Sequence, residues 1–197
     1  MIVAITGGIG SGKSYVSRLL AERGISVYDC DAAAKCLMRT SSILQEQLSR
    51  LVGAELFPHG ELQKPLLRQY LLQSPSHAQA VDAIVHPAVA RDFLQSGQEW
   101  VESAILFDSH FDQRIHPDYV VCVTAPLEVR LRRVIQRDHT TRDQALAWIH
   151  RQLSQDIVRD KSDFEIVNDG LQPLDPQLDS VLSALHSTHQ ATNNRKQ

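Results

Sequence analysis

Gly7, Gly12, Lys13 and Ser14 fill the fixed positions of a G-x-x-x-x-G-K-S segment spanning residues 7–14. A polyphosphate carries several negative charges, and a short loop solvates them only when its backbone N–H groups point inward. Gly7, Gly8, Gly10 and Gly12 permit the turns and the close approach that this requires. A helix opening at Lys13 adds the partial positive charge of its N-terminus. In this pattern Lys13 reaches the outer phosphates, the Ser14 hydroxyl binds Mg2+, and the backbone of Gly8, Gly10, Ser11 and Gly12 forms the cradle. A glycine-rich turn that merely starts an ordinary helix is the alternative. The flanks favour the phosphate loop: Ile2-Val3-Ala4-Ile5 fits a buried strand, and Val16, Leu19 and Leu20 follow at helical spacing, closed by Gly24 at a helix C-terminus.

Further residues could complete a phosphoryl-transfer site. Asp29 and Asp31 end a second strand, where a carboxylate facing the loop can accept a proton from a substrate hydroxyl. Asp31 is the favoured base, with Asp29 its neighbour or the N-cap of the next helix. Ala104-Ile105-Leu106-Phe107-Asp108 reads as an apolar strand ending in an acid that could hold Mg2+. Arg130, Arg133 and Arg137 share one helix face; Arg130 reads as solvated, whereas Arg137 and Arg142 are expected to contact phosphate. Pro87 can start or kink a helix, leaving His86 exposed at its mouth.

These side chains need a scaffold that gathers them on one rim. Strands are expected at 2–6, 26–29, 101–107, 119–125 and 164–167, with helical patterns between them. That alternation predicts an α/β fold whose parallel sheet is covered on both faces, with ligands at the carboxyl ends of the strands. Residues 32–97 contain helical segments and no strand pattern, so they read as an inserted substrate-binding subdomain. Residues 137–162, where Thr141 and Gln144 fit a capping box, read as a lid. The polar tail from Thr188 is expected to fray.

Composition sets bounds. The 197 residues suit one domain with an insertion, and 43% hydrophobic with 22% charged residues is ordinary for a globular protein. A net charge of −3 argues against broad nucleic-acid binding and leaves an anionic substrate to local clusters of arginine. No apolar run is long enough for a membrane span. Three cysteines without C-x-x-C spacing, and Met1 leading straight into a strand, point to a reduced, cytoplasmic protein. A monomer is expected, with an oligomer left open.

Taken together these segments resemble the dephospho-CoA kinase family. The resemblance is carried by I-V-A-I-T-G-G-I-G-S-G-K-S at the start, V-Y-D-C-D at 27–31, H-P at 86–87 and I-L-F-D at 105–108. It continues through V-I-Q-R-D at 134–138, T-R at 141–142 and I-V-N-D-G at 166–170. It implies transfer of the ATP γ-phosphoryl group to the 3′-hydroxyl of dephospho-CoA, with Mg2+. The fold it implies is the P-loop NTPase type, three layers around a five-stranded parallel sheet, with a helical insertion and a lid. The core would then be 1–31, 98–136 and 163–197, the CoA-binding domain 32–97 and the lid 137–162. Asp31 becomes the presumed base, His86 and Asp108 belong to the acceptor region, Arg137 and Arg142 to the lid, and Asn168 with Gly170 to a loop near the ATP base. Tyr15 stands where the family has Thr, so contact with the α-phosphate is lost or moves to the phenol. Ala104 and Asp108 replace Pro and Glu, and Cys30 replaces a small Ala. Two rivals are a kinase for another small hydroxyl compound, and a nucleotide switch; the second lacks an N-K-x-D guanine-reading element.

Overall fold

The computed structural model describes residues 1–194. In chain order the elements are β1 (Val3–Thr6), α1 (Lys13–Glu22), β2 (Val27–Asp29), α2 (Cys30–Thr40), α3 (Ser42–Val52), α4 (Lys64–Gln73) and α5 (Pro75–Ser96). They are followed by β3 (Trp100–Glu102), α6 (Asp112–Ile115), β4 (Tyr119–Thr124), α7 (Leu127–Asp138), α8 (Arg142–His150), α9 (Gln155–Asp160), β5 (Phe164–Val167) and α10 (Leu174–Asn194). The strands form one parallel sheet in the order β2-β3-β1-β4-β5. The chain leaves β1 toward one edge of the sheet and β4 toward the other, so a crevice opens above the carboxyl end of β1. Register sets Glu102, the last residue of β3, beside both Ile5 of β1 and Asp29 of β2.

Alternation along β1 sorts the two faces. Val3 and Ile5 pack with Val16 and Leu20 of α1 and with Leu178, Val181 and Leu185 of α10. Ala4 faces the opposite way, into a cluster with Leu44 and Leu48 of α3 and Val85, Val89 and Phe93 of α5. These faces give the three layers expected from a doubly covered parallel sheet.

Local signals behave as their chemistry requires. Gly24, at φ 79°, ends α1: its N–H reaches Ala21 O and that of Ile25 reaches Leu20 O, a paired C-terminal closure. The hydroxyls of Ser41, Ser74 and Thr141 accept from the N–H groups of Leu44, His77 and Gln144, capping α3, α5 and α8. Residues 32–97 hold α2 to α5 and two 3-10 turns, Ala54–Leu56 and Pro58–Gly60.

Three local expectations change. The strand expected over 101–107 is only Trp100–Glu102. Residues 104–110 instead turn tightly, with Ser109 N–H on Ile105 O and Phe111 N–H on Leu106 O, burying Leu106 completely. A run of four apolar residues fits a buried turn as well as a strand, because neither needs a polar face. Pro87 starts no helix; it lies inside α5, whose N-cap is Ser74. Finally, α10 continues as helix through Thr188 to Asn194, whereas a frayed tail was expected there; residues 195–197 lie outside the described residues.

The packing of α5 fixes where β2 ends. Phe93 is 1% exposed, and its ring centroid lies 5.3 Å from that of Tyr28 at 60°. The Tyr28 hydroxyl donates to Asp92 at 2.6 Å. Phe93→Ala is therefore expected to lower unfolding free energy by about 3–5 kcal/mol, the range for truncating a buried Phe. Urea denaturation checks this, and a loss below about 1 kcal/mol would mean that the cluster does not anchor α5.

Candidate active site

The loop joining β1 to α1 forms one wall of a cavity of about 810 Å³. Gly12 has φ 95°, and a Cβ there would strike the Asn168 amide, so only glycine fits. The carbonyls from Gly8 to Gly12 all receive donors. Gly8 O takes Ser11 N–H and Lys13 Nζ, Ile9 O takes Arg130 Nε, and Gly10 O takes Arg133 Nη1. Ser11 O takes Arg133 Nη1 and Asn168 Nδ2, and Gly12 O takes the N–H groups of Tyr15 and Val16. By contrast, among the described residues no acceptor meets the N–H groups of Gly10, Gly12, Lys13 or Ser14. Four unpartnered amides at a helix start, beside a lysine, make an anion nest.

Lys13 is 8% exposed. Burial pushes its pKa down from 10.5 to about 8; Glu102 and Asp31 oppose that shift, while Arg130 and Arg137 add to it. The cost of the buried ammonium is fully present below about pH 8 and is relieved as pH rises toward 10.5, because the unfolded chain holds that proton longer.

The three acids at this rim have distinct surroundings. Asp29 Oδ1 accepts Ala32 N–H at 2.9 Å and caps α2. Glu102 accepts from Ser14 Oγ at 3.0 Å and from Ser17 Oγ at 2.7 Å. Asp31 lies in the first turn of α2 and lines the cavity; among the described residues no donor occupies its carboxylate. Hard oxygen donors from Ser14, Glu102 and Asp31 suit Mg2+, which takes few protein ligands and completes its shell with phosphate oxygens and water. Among the described residues no group of three His, Cys, Asp or Glu could enclose a metal, in keeping with so open a site.

The remaining candidates divide. Tyr15 is 47% exposed on the cavity wall, with the Arg18 guanidinium 5.3 Å from its ring centroid. Arg137 lines the cavity and forks onto Asp138 at 2.9 and 2.7 Å, a contact that raises its pKa. Arg142 points elsewhere, bidentate on Glu128 at the surface. Asp108 does not line the cavity; its Oδ1 accepts Leu153 N–H at 2.8 Å. His86 is a half-buried mid-helix residue 3.6 Å from Asp82, and burial lowers its pKa, so it is not exposed at a helix mouth. Asn168 is 7% exposed and committed to Ser11 O and Arg133, bracing the loop from behind, while Gly170 sits at φ 85° in open space. Ser11 is fully buried, so its backbone alone serves the loop.

Arg130 corrects the solvated reading: it is 6% exposed and packed beneath the loop. The sequence also hid Glu102, Ser17 and Gln152. Gln152 Oε1 accepts Ile9 N–H at 2.7 Å across 143 residues. Glu102 was legible only to a reading that ended β3 five residues earlier. No pattern signals Gln152, since the contact depends on how α8 packs.

This sheet order and this loop define an α/β protein of the P-loop class. A shikimate kinase from Acinetobacter baumannii shares the fold at TM-score 0.54 and 16% identity, covering 94% of this chain and 93% of that one. The family model described as dephospho-CoA kinase matches residues 1–173. A dephospho-CoA kinase of Bacteroides fragilis (strain YCH46) is 40% identical over 191 residues, 93% of this chain and 92% of that protein. A Thermus thermophilus crystal structure superposes with a TM-score of 0.76 at 30% identity, covering 95% of this chain and 97% of that one. This chain belongs to the dephospho-CoA kinase family.

Kinases of this family use ATP as co-substrate, and the depressed Lys13 pKa gives binding a proton signature. A polyphosphate favours the ammonium, so ADP binding near pH 8.5 is expected to take up a fraction of a proton and to take up almost none at pH 6. Calorimetry in two buffers of different ionisation enthalpy measures the uptake. Persistence of the uptake in Lys13→Met would assign it to another group.

Proposed function

We propose that this enzyme transfers the γ-phosphoryl group of ATP to the 3′-hydroxyl of dephospho-CoA, giving CoA and ADP. The observation that carries the reading is one cavity with an anion nest and Lys13 on one wall and an unengaged carboxylate, Asp31, on the other. The loop amides of Gly10, Gly12, Lys13 and Ser14 hold the phosphates of ATP, and Lys13 draws charge from the outer ones. Tyr15 offers a phenol near the α-phosphate. Arg137 supplies a second cation from the end of α7. Ser14, with Glu102 close behind it, would hold Mg2+, which when bound neutralises charge on the outer phosphates. Asp31 accepts the proton of the attacking hydroxyl as its oxygen bonds to the γ-phosphorus; the bond from that phosphorus to the bridging oxygen breaks, and the electron pair leaves with ADP.

The helices of residues 32–97, entered through Asp31, are read as the acceptor domain, with His86 of α5 in its interior. Residues 137–162 are read as a lid, with Arg142 released from Glu128 when phosphate is present. Three free cysteines fit a reducing compartment, the cytoplasm. No described helix is long and apolar enough to cross a membrane.

Purified protein with Mg-ATP is expected to form ADP far faster when dephospho-CoA is present, in a coupled assay. Equal stimulation by adenosine monophosphate, or none by dephospho-CoA, would sink the acceptor assignment. Asp31→Asn is expected to lower kcat by roughly two to four orders of magnitude while ADP affinity persists, as for loss of a general base. Undiminished turnover would move the base role to another carboxylate.

A further inference from the structure

Arg130 occupies a costly position. It sits on α7 with its Nε on Ile9 O at 2.9 Å, while its Nη2 is fully buried and, among the described residues, has no hydrogen-bond partner. Nη2 packs against the backbone of Gly8, where the Cβ of any other residue would collide with it. Among the described residues no carboxylate lies within ion-pair distance of this guanidinium. A guanidinium does not shed its proton in a protein, so burial leaves a charge that must find an anion or be paid for in stability. Arg133, the next turn along, differs: it spends its donors on Gly10 O, Ser11 O and Asn168. Lys13, on the other side of Gly8, has Glu102 and Asp31 nearby, and Arg130 has neither.

We propose that Arg130 is a positioning residue whose missing counter-charge is the polyphosphate of the bound nucleotide, felt through the Gly8–Ile9 backbone that it holds. The proposal rests on the ATP reading of the site and adds to it a buried charge behind the loop. It gives Gly8 a second reason to be glycine, since a side chain would push the guanidinium away from the phosphates. It also ties nucleotide affinity to α7 rather than to the loop alone. With phosphates absent, the unpaired charge strains the folded state; with them present, the same buried charge strengthens the nest from behind the loop.

The test compares Arg130→Gln, Arg130→Lys and Arg130→Met with the wild-type enzyme, by Mg-ADP calorimetry and by melting with and without nucleotide. Arg130→Gln keeps a donor for Ile9 O and removes the charge. It is expected to weaken Mg-ADP binding roughly ten- to a hundredfold, with the free protein melting no lower than wild type. KM for ATP should rise more than kcat falls. Arg130→Lys should restore most of the lost affinity, whereas Arg130→Met, which also strips the donor from Ile9 O, should bind no better than Arg130→Gln and melt lower. Unchanged ADP affinity with a lower melting point would make Arg130 merely structural and overturn the proposal. So would Arg130→Lys binding no better than Arg130→Gln. ADP binding is measured without dephospho-CoA, so a wrong acceptor assignment leaves the comparison intact. Wild-type protein that ignores Mg-ADP would overturn both readings.

Discussion

A loop that turns its amides toward an anion must turn its carbonyls the other way, and those oxygens need donors. Here five carbonyls in succession, Gly8 to Gly12, face that demand. Leaving one buried and unmet costs about 1–3 kcal/mol, a large share of a domain's stability. Only Gly8 and Gly12 find backbone N–H donors within the loop and α1. The oxygens of Ile9, Gly10 and Ser11 depend on Arg130, Arg133 and Asn168, more than 120 residues downstream. The nest is therefore a property of the whole core, and its amides are aimed before any ligand arrives, when orientation costs least.

Ile9 shows how far this dependence reaches. Its N–H is held by Gln152, its carbonyl by Arg130, and its side chain packs with Leu131, Val134, Ala145 and Ile149 of α7 and α8. One residue of the loop is thus clamped at every group by the segment between β4 and β5. Glycines on either side make that clamp necessary, because their backbone freedom would otherwise scatter the amides. A change in the seating of α7 or α8 therefore has a direct route to the phosphate site through Ile9, beside the one that Arg133 of α7 opens to Gly10 O and Ser11 O.

Local chemistry made much of this legible in advance. The loop, its flanking strand and helix, the Gly24 closure and the cap at Thr141 each depend on a few neighbouring residues, so sequence suffices for them. What escaped depends on contacts between distant segments. Arg130 and Arg133 share a helix face and read alike, yet both are partners of a loop that only tertiary packing brings near. Asp108 carried the right chemistry in the wrong place: a buried turn over 104–107 mimics a strand, and the acid at the true strand end is Glu102. His86 was read from Pro87 as a helix-mouth residue, but Ser74 and Pro75 start that helix three turns earlier.

The division of labour among Asp29, Asp31 and Glu102 shows why spacing could not choose the base. Asp29 and Glu102 end neighbouring strands and Asp31 follows two residues after Asp29, and residue type alone treats the three acids as equivalent. Environment separates them, as it does wherever two carboxylates in one site take different roles. Asp29 is spent on the N-terminus of α2, and Glu102 is spent on the hydroxyls of Ser14 and Ser17. Among the described residues no donor occupies the Asp31 carboxylate, which lines the same cavity as Lys13, the setting that the proposed base role calls for. The cap that Asp29 makes bears on that placement. It starts the helix at Cys30 and so turns Asp31, two residues on, into the cavity instead of along the strand.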